Sequence, residues 1–334
     1  MSFSQINAED IQISSDSIVS TLWSNNLTVL NTLYKDTINK NNYLPVYSTN
    51  PSTDPKAEVQ FSINYGQKFG SGSALINPLV PTNSPTRINY GQIRTLINGD
   101  ENTSINFGIG NTESNDVYII NIGRARYKEK LFLNTFNLHL SCPSGSIELT
   151  NNSKDSTIVN YSDAGRVFNI VSGSNGASIV GGGNTVSGSY GKFLPDVGLI
   201  LLNPRALALP YISGGIGISI DNNNNSSALQ NTNNALYTSI NGGAYFSLNS
   251  EETITSDYIF VRVKNNEFNY TTNPSIINNA GEFYHSTLVN NPQTFITTVG
   301  LYNDLNELLA VAKLSKPLVK DYTKEALLRI KIDF

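Results

Sequence analysis

Two histidines, one cysteine and scattered carboxylates are the side chains of this 334-residue chain that could do chemistry. Nucleophilic catalysis would need a base, His139 or His285, held beside a nucleophile and oriented by a third group. His139 lies in Phe136-Asn137-Leu138-His139-Leu140, whose alternation puts it on the face opposite the three apolar residues. His285 follows Phe283-Tyr284 in a predicted loop, and neither histidine has the setting of a zincin helix or a nucleophile elbow. A glycosidase would need a carboxylate pair, but Asp100-Glu101, Asp116, Glu251-Glu252 and Asp304 fall at predicted turns, where acidic residues are the background. Cys142 alone offers no internal disulfide and cannot build a zinc site. The expectation is a protein that is not an enzyme, with no catalytic residues, no cofactor and no metal.

Charge points away from nucleic acid. There are 22 basic and 26 acidic residues, a net charge of −4, and charged residues are 14% of the chain. A nucleic-acid binder would carry a basic stripe. The densest positive stretch is Arg124-Ala125-Arg126-Tyr127-Lys128-Glu129-Lys130. Arg124, Arg126, Lys128 and Lys130 are candidates for steering an acidic partner surface. Pairing within the same domain is the competing reading. Two glycine-rich segments, Ser172 to Gly191 and Ser213 to Gly217, read as loops; Gly181-Gly182-Gly183 opens no helix and makes no phosphate cradle. The Asp221 to Asn225 run lacks the alternating ligands and distal glutamate of a calcium loop.

These residues would be carried by a mainly β fold, with β-sandwich or barrel-like domains and a helical N-terminal arm. Between Ser15 and Ile38, Ile18, Val19, Leu22, Trp23, Leu27, Leu30 and Leu33 recur at threes and fours, which predicts an amphipathic helix. Trp23 on that arm is a further interface candidate. From residue 55 onward, alternation predicts strands at Glu58 to Tyr65, Val117 to Ile122, Thr135 to Leu140, Ser146 to Leu149, Thr157 to Tyr161, Val167 to Val171 and Tyr258 to Val263. Turn residues at Asn98-Gly99-Asp100, Ser144-Gly145 and Asn241-Gly242-Gly243 punctuate them. No run approaches 18 apolar residues, and the first residues lack the basic start and apolar run of a signal peptide. The expectation is a chain kept in a cytoplasm, or in something assembled there, without membrane contact.

The C-terminal stretch is the most distinctive. Phe295-Ile296-Thr297-Thr298-Val299-Gly300-Leu301-Tyr302-Asn303-Asp304 leads through Leu308-Leu309-Ala310-Val311-Ala312 to Lys316-Pro317 and a closing strand, Leu327 to Phe334. It reads as strand, tight turn, strand, proline-initiated connection, strand. The positions Val299, Gly300, Leu301, Tyr302, Asp304, Leu308 to Ala312, Lys316 and Pro317 resemble a motif of baseplate-proximal domains of phage tail fibres, with valine in place of the usual isoleucine. Lys56 to Tyr65, Ser84 to Arg87 with Tyr90-Gly91-Gln92, Asn98 to Glu101, Arg124 to Lys128 and Phe260 to Pro274 resemble virion proteins of large myophages, including those of marine cyanobacteria.

The resemblance implies a structural component of a tailed-phage virion, in the baseplate, the tail or fibre attachment. Its partners would be other virion proteins, in multiple symmetric copies. It suggests a main β domain formed by 51–130 with 246–334, an arm at 1–50, and an inserted β subdomain at 131–245. Gly300, Leu301, Tyr302, Asp304, Lys316 and Pro317 would then be a structural motif. A receptor- or carbohydrate-binding tail module is the alternative, and a tail-associated depolymerase the third reading. A repeating β-helix would favour the last, yet no fixed internal period is present.

Overall fold

The computed structural model describes residues 6–36, 42–73, 84–108, 113–179, 190–225, 227–270, 273–290 and 292–334. It divides into a larger unit, Ile18–Glu252, and a smaller one, Met1–Ser17 with Thr253–Phe334. These boundaries differ from 50, 130 and 245, because strands from 137–151 and 165–174 belong to the same sheet as those from 59–67 and 116–121. The Gly181-Gly182-Gly183 run lies outside the described residues.

In chain order the strands begin with β1 (Ile11–Thr21), β2 (Val29–Leu30), β3 (Tyr34–Lys35), β4 (Leu44–Tyr47) and β5 (Val59–Gln67). Helix α1 (Pro85–Asn98) follows, then β6 (Asp116–Asn121), β7 (Lys130–Leu131), β8 (Asn137–Cys142) and β9 (Gly145–Asn151). Next come β10 (Asn160–Ser162), β11 (Gly165–Ser174), β12 (Ala177–Ser178), β13 (Gly191–Leu194) and β14 (Leu199–Leu202). Helices α2 (Pro204–Ala208) and α3 (Ala228–Asn241) precede β15 (Phe246–Ser247) and β16 (Asn249–Val263). The chain ends with α4 (Thr287–Asn290), β17 (Thr294–Tyr302), β18 (Leu308–Lys320) and β19 (Ala326–Asp333).

The helix expected over 15–38 does not form in its described part, residues 15–36. Ile11–Thr21 is strand β1, as suits a segment of isoleucine, valine, serine and threonine, whose branched side chains fit a pleated surface. Asn25 and Asn26 then take positive φ, 62° and 57°, and turn the chain so that the Trp23 N–H donates to the Leu27 carbonyl at 3.2 Å. Asparagine tolerates this left-handed conformation, and a helix cannot pass through it. Leu22, Trp23, Leu30 and Leu33 consequently enter the core of the larger unit as strand and turn residues.

That unit is built on a 13-stranded antiparallel sheet in the order β2-β15-β8-β9-β11-β13-β14-β6-β5-β4-β3, with β10 and β12 attached to β11. Its two end strands are joined by only three residues, 31–33. Four Cα steps of ~3.8 Å span at most ~15 Å, so the sheet curls until its ends meet. Helix α3 touches β8 near one end of the strand order and the neighbouring β5 and β4 near the other, and this places it inside the curl. Leu229, Leu236, Tyr237 and Ile240 of α3 join the same core as Phe61, Leu138, Ile200 and Phe246. The Tyr237 hydroxyl donates to the Leu33 carbonyl at 3.0 Å, tying the helix to the seam.

Alternation along the strands separates two cores. Tyr118, Ile120, Ile200 and Leu202 face inward, whereas Val117, Ile119 and Leu201 face outward beneath α1 with Tyr90 and Ile93. The Tyr90 hydroxyl donates to the Ser114 carbonyl at 2.6 Å and accepts from the Ile105 N–H at 3.0 Å, so its polar end is satisfied although buried.

In the smaller unit, β16 lies between β1 and β19, with Ser256 to Val263 antiparallel to β19. Strands β17 and β18 form a separate two-stranded hairpin.

Candidate functional site

The basic segment is held within the larger unit. The Arg124 guanidinium stacks 4.6 Å over the Tyr127 ring and donates to the Tyr127 carbonyl at 2.6 Å. Arg126 donates to the Val59 carbonyl at 2.6 Å, to Ser24 Oγ at 3.0 Å and to Glu58 Oε2 at 3.1 Å. The Ser24 hydroxyl, then the Arg126 charge and hydrogen bond, hold the Glu58 carboxyl below the usual range. Burial draws Arg126 down, and Glu58 partly offsets it. Lys128 Nζ meets Glu252 at 2.6 Å and Lys130 Nζ meets Glu129 at 3.6 Å. The predicted interface cations thus have partners of their own. Trp23, another interface candidate, is 2% exposed and packs against Phe61 and Phe246 at ring distances of 6.2 and 5.0 Å.

Arg126 also borders a concavity of about 670 Å³, lined among others by Tyr43, Tyr47, Glu58, Ser62, Asn121 and Gly123. Leu44 and Val46 of β4 point into the core, so the intervening side chains of that segment turn the other way. Tyr43 is exposed and Tyr47 half-buried. The Tyr47 phenol is pushed up by burial, then by Asp36 and by Tyr43, which places the two tyrosines within electrostatic reach of each other. Motif reasoning could not find this site, because its residues come from four separate segments.

His139 points outward from β8, as its alternation predicts, and lies opposite Glu148 of β9. Its Nδ1 accepts from the Ala244 N–H at 2.9 Å, and its ring stacks against Tyr245 at 5.9 Å. The Tyr245 hydroxyl donates to Glu148 and is pushed up to about 12 by burial, then by Glu148. This cluster, absent from the sequence reading, pins residues 244 and 245 against β8. His285 is exposed, and no group of three metal-ligating side chains occurs among the described residues.

The C-terminal motif forms the β17–β18 hairpin. Leu301 is buried opposite Ala310, while Tyr302, Leu308, Leu309 and Val311 are exposed. Asn303, rather than Asp304, organises the turn: its Oδ1 accepts from the Leu305 and Glu307 N–H groups at 3.0 and 2.8 Å. Lys316 and Pro317 lie within β18, not at the start of a connection, where the register passes from Thr298↔Lys313 to Ile296↔Leu318. Proline has no N–H to give a ladder, and it occupies this irregularity.

No family model matches the chain, and neither the curated proteins nor the solved structures contain a match to it. No helix among the described residues is long and apolar enough to cross a membrane.

Proposed function

We propose that the chain is a structural component of a tailed-phage virion, acting through protein–protein contacts made by its smaller unit. One observation carries this reading. Among the described residues of that unit, Val263, Leu301 and Ile330 are the buried apolar side chains, whereas Phe295, Tyr302, Leu305, Leu308, Leu309 and Val311 of the hairpin alone are exposed. Leu305 is 78% and Leu309 68% exposed. A two-stranded hairpin gains little stability alone, and clustered exposed apolar side chains mark surfaces that a partner covers. The hairpin also carries the sequence motif resembling phage baseplate-proximal domains, which supports a virion partner.

The test supplies tagged chain during infection and asks whether purified particles contain it. Incorporation of the wild type, and its loss in Leu309→Ser/Val311→Ser with an unchanged melting midpoint, is the expected result. A wild-type chain absent from particles, or a folded variant incorporated normally, overturns the proposal.

A further inference from the structure

We propose that the concavity bordered by Tyr43, Tyr47, Glu58, Ser62, Asn121 and Arg126 binds a neutral saccharide. This goes beyond the assembly reading and rests on different residues in the other unit.

The side chains around this concavity fall into two sets. Arg126, Glu58, Ser24 and Gln60 satisfy one another: besides the Arg126 bonds, Ser24 Oγ donates to Glu58 Oε2 at 2.9 Å and Gln60 Nε2 donates to Ser24 Oγ at 2.9 Å. The side chains of Tyr43, Tyr47, Ser62 and Asn121 make no hydrogen bond to any described residue, although all four line the same concavity. Two phenols, a hydroxyl and a carboxamide are therefore left facing it, offering donors and acceptors together. The charged side chains that line the concavity, Arg126 and Glu58, sum to zero, and Asp36, which acts on the Tyr47 phenol, adds a negative charge nearby that disfavours an anion.

That combination suits a sugar ring. The axial C–H bonds of a pyranose carry slight positive charge and stack on the electron-rich face of tyrosine, while its hydroxyls both donate and accept. The volume lies within the ~300–1,000 Å³ of small-molecule sites, which pair an apolar wall with a few placed polar groups. Pro45 and the exposed Val59 supply further apolar wall. A proline-rich peptide would also use tyrosine faces, but it offers carbonyl acceptors and few donors, leaving the acceptor atoms here unanswered.

Gly123 gives a direct test. A Cβ built there meets nothing within 4 Å, and its φ of −57° is open to any L-residue. Gly123→Phe should place a ring beside the concavity without disturbing the fold. Tyr43→Ala removes an exposed stacking face. The full chain is titrated with neutral oligosaccharides of glucose, galactose and N-acetylglucosamine, beside sialylated glycans and a proline-rich peptide. Saturable binding of a neutral glycan is expected, weakened about tenfold or more in Tyr43→Ala and in Gly123→Phe at an unchanged melting midpoint. Should Gly123→Phe not fold, Tyr43→Ala decides. No saturable neutral-glycan binding overturns the proposal, as does binding undiminished in Tyr43→Ala. Site-dependent binding of the sialylated glycans or the peptide alone also overturns it.

Discussion

The Lys320 ammonium donates to the Asn269 side-chain oxygen at 2.6 Å while the lysine side chain is wholly removed from solvent. Its other acceptors are the Asn265 carbonyl at 3.1 Å and the Asp321 carbonyl at 2.8 Å. Three protons meet three neutral oxygens, so the charge is solvated by backbone and amide dipoles, and the end of β18 is fastened to the 264–270 loop. Lys320→Met would keep much of the volume but leave all three acceptors without their donor. Such a change costs about 3 kcal/mol, because hydrogen bonds to a charged group are each worth about 1.5–3 kcal/mol and water recovers part. Denaturant unfolding should show an earlier transition for the smaller unit; an unaltered curve would remove Lys320 as its fastening.

Two glycines should differ sharply. A Cβ on Gly191 would lie 1.9 Å from the Leu201 carbonyl oxygen and 3.0 Å from Leu202 Cα, both backbone atoms of the neighbouring strand. On Gly300 it would meet the Tyr302 ring at 2.8 Å, but that contact is with an exposed side chain rather than with backbone. Backbone in the middle of a ladder cannot move aside. Gly191→Ala is expected to destabilise by about 3 kcal/mol or more and Gly300→Ala by about 1 kcal/mol. Melting midpoints of the two variants check the order, and equal shifts would refute it.

Acid sensitivity should centre on Asp196. Its carboxylate accepts from the Arg166 side chain at 2.5 Å and from the Arg166 N–H at 2.8 Å. Burial pushes the carboxyl up, but the Arg166 hydrogen bonds and charge outweigh it and hold it below its ordinary value. Arg166 is raised in turn, chiefly by its hydrogen bond to Asp196. An unfolded aspartate titrates near ~3.9, so the pair contributes fully above that pH and is lost as pH falls through the lower folded value. Asp196→Asn should cost about 2 kcal/mol at pH 7, with the gap to wild type closing below pH ~4. A gap constant down to pH 3 would contradict this.

Much of the β framework was legible because a curled sheet with a dry interior imposes alternation. Phe61, Ile63 and Tyr65 all face the core, and the strand predicted at 58–65 forms at Val59–Gln67. The helices were harder. Pro85 at the start and Gly99, with φ of 70°, at the end bracket α1, yet Asn98-Gly99 also reads as a strand turn. In α3, Leu229, Leu236 and Ile240 keep helical spacing, but asparagine and threonine between them are poor helix formers, and tertiary burial inside the curl decides the outcome. The saccharide concavity was not legible, since Tyr43, Ser62, Asn121 and Arg126 meet only after β4, β5 and β6 pair.

The N-terminal forty residues give the sharpest prediction, because strand and helix readings disagree about it. A helical arm would be separable, and its deletion would leave a folded β body. In the structure, Leu22, Trp23, Leu30 and Leu33 are core residues, β2 pairs with β15 through Leu30↔Phe246, and β3 pairs with β4 through Tyr34↔Tyr47. Trp23 bears on Phe246, which also contacts Phe61 and Phe136 at 5.4 and 6.4 Å, so one aromatic cluster joins both ends of the sheet order. Removing residues 1–40 takes away the seam and part of that cluster together. The truncated chain is expected to lose its cooperative melt, whereas a chain lacking only residues 1–10 keeps it. Trp23→Ala alone should cost about 3–5 kcal/mol, the range for emptying a large aromatic site in a packed core. Thermal melts followed by near-ultraviolet circular dichroism, which reads aromatic packing, separate the cases. A native-like melt after deletion of 1–40 would restore the arm and contradict the placement of Trp23 in the core.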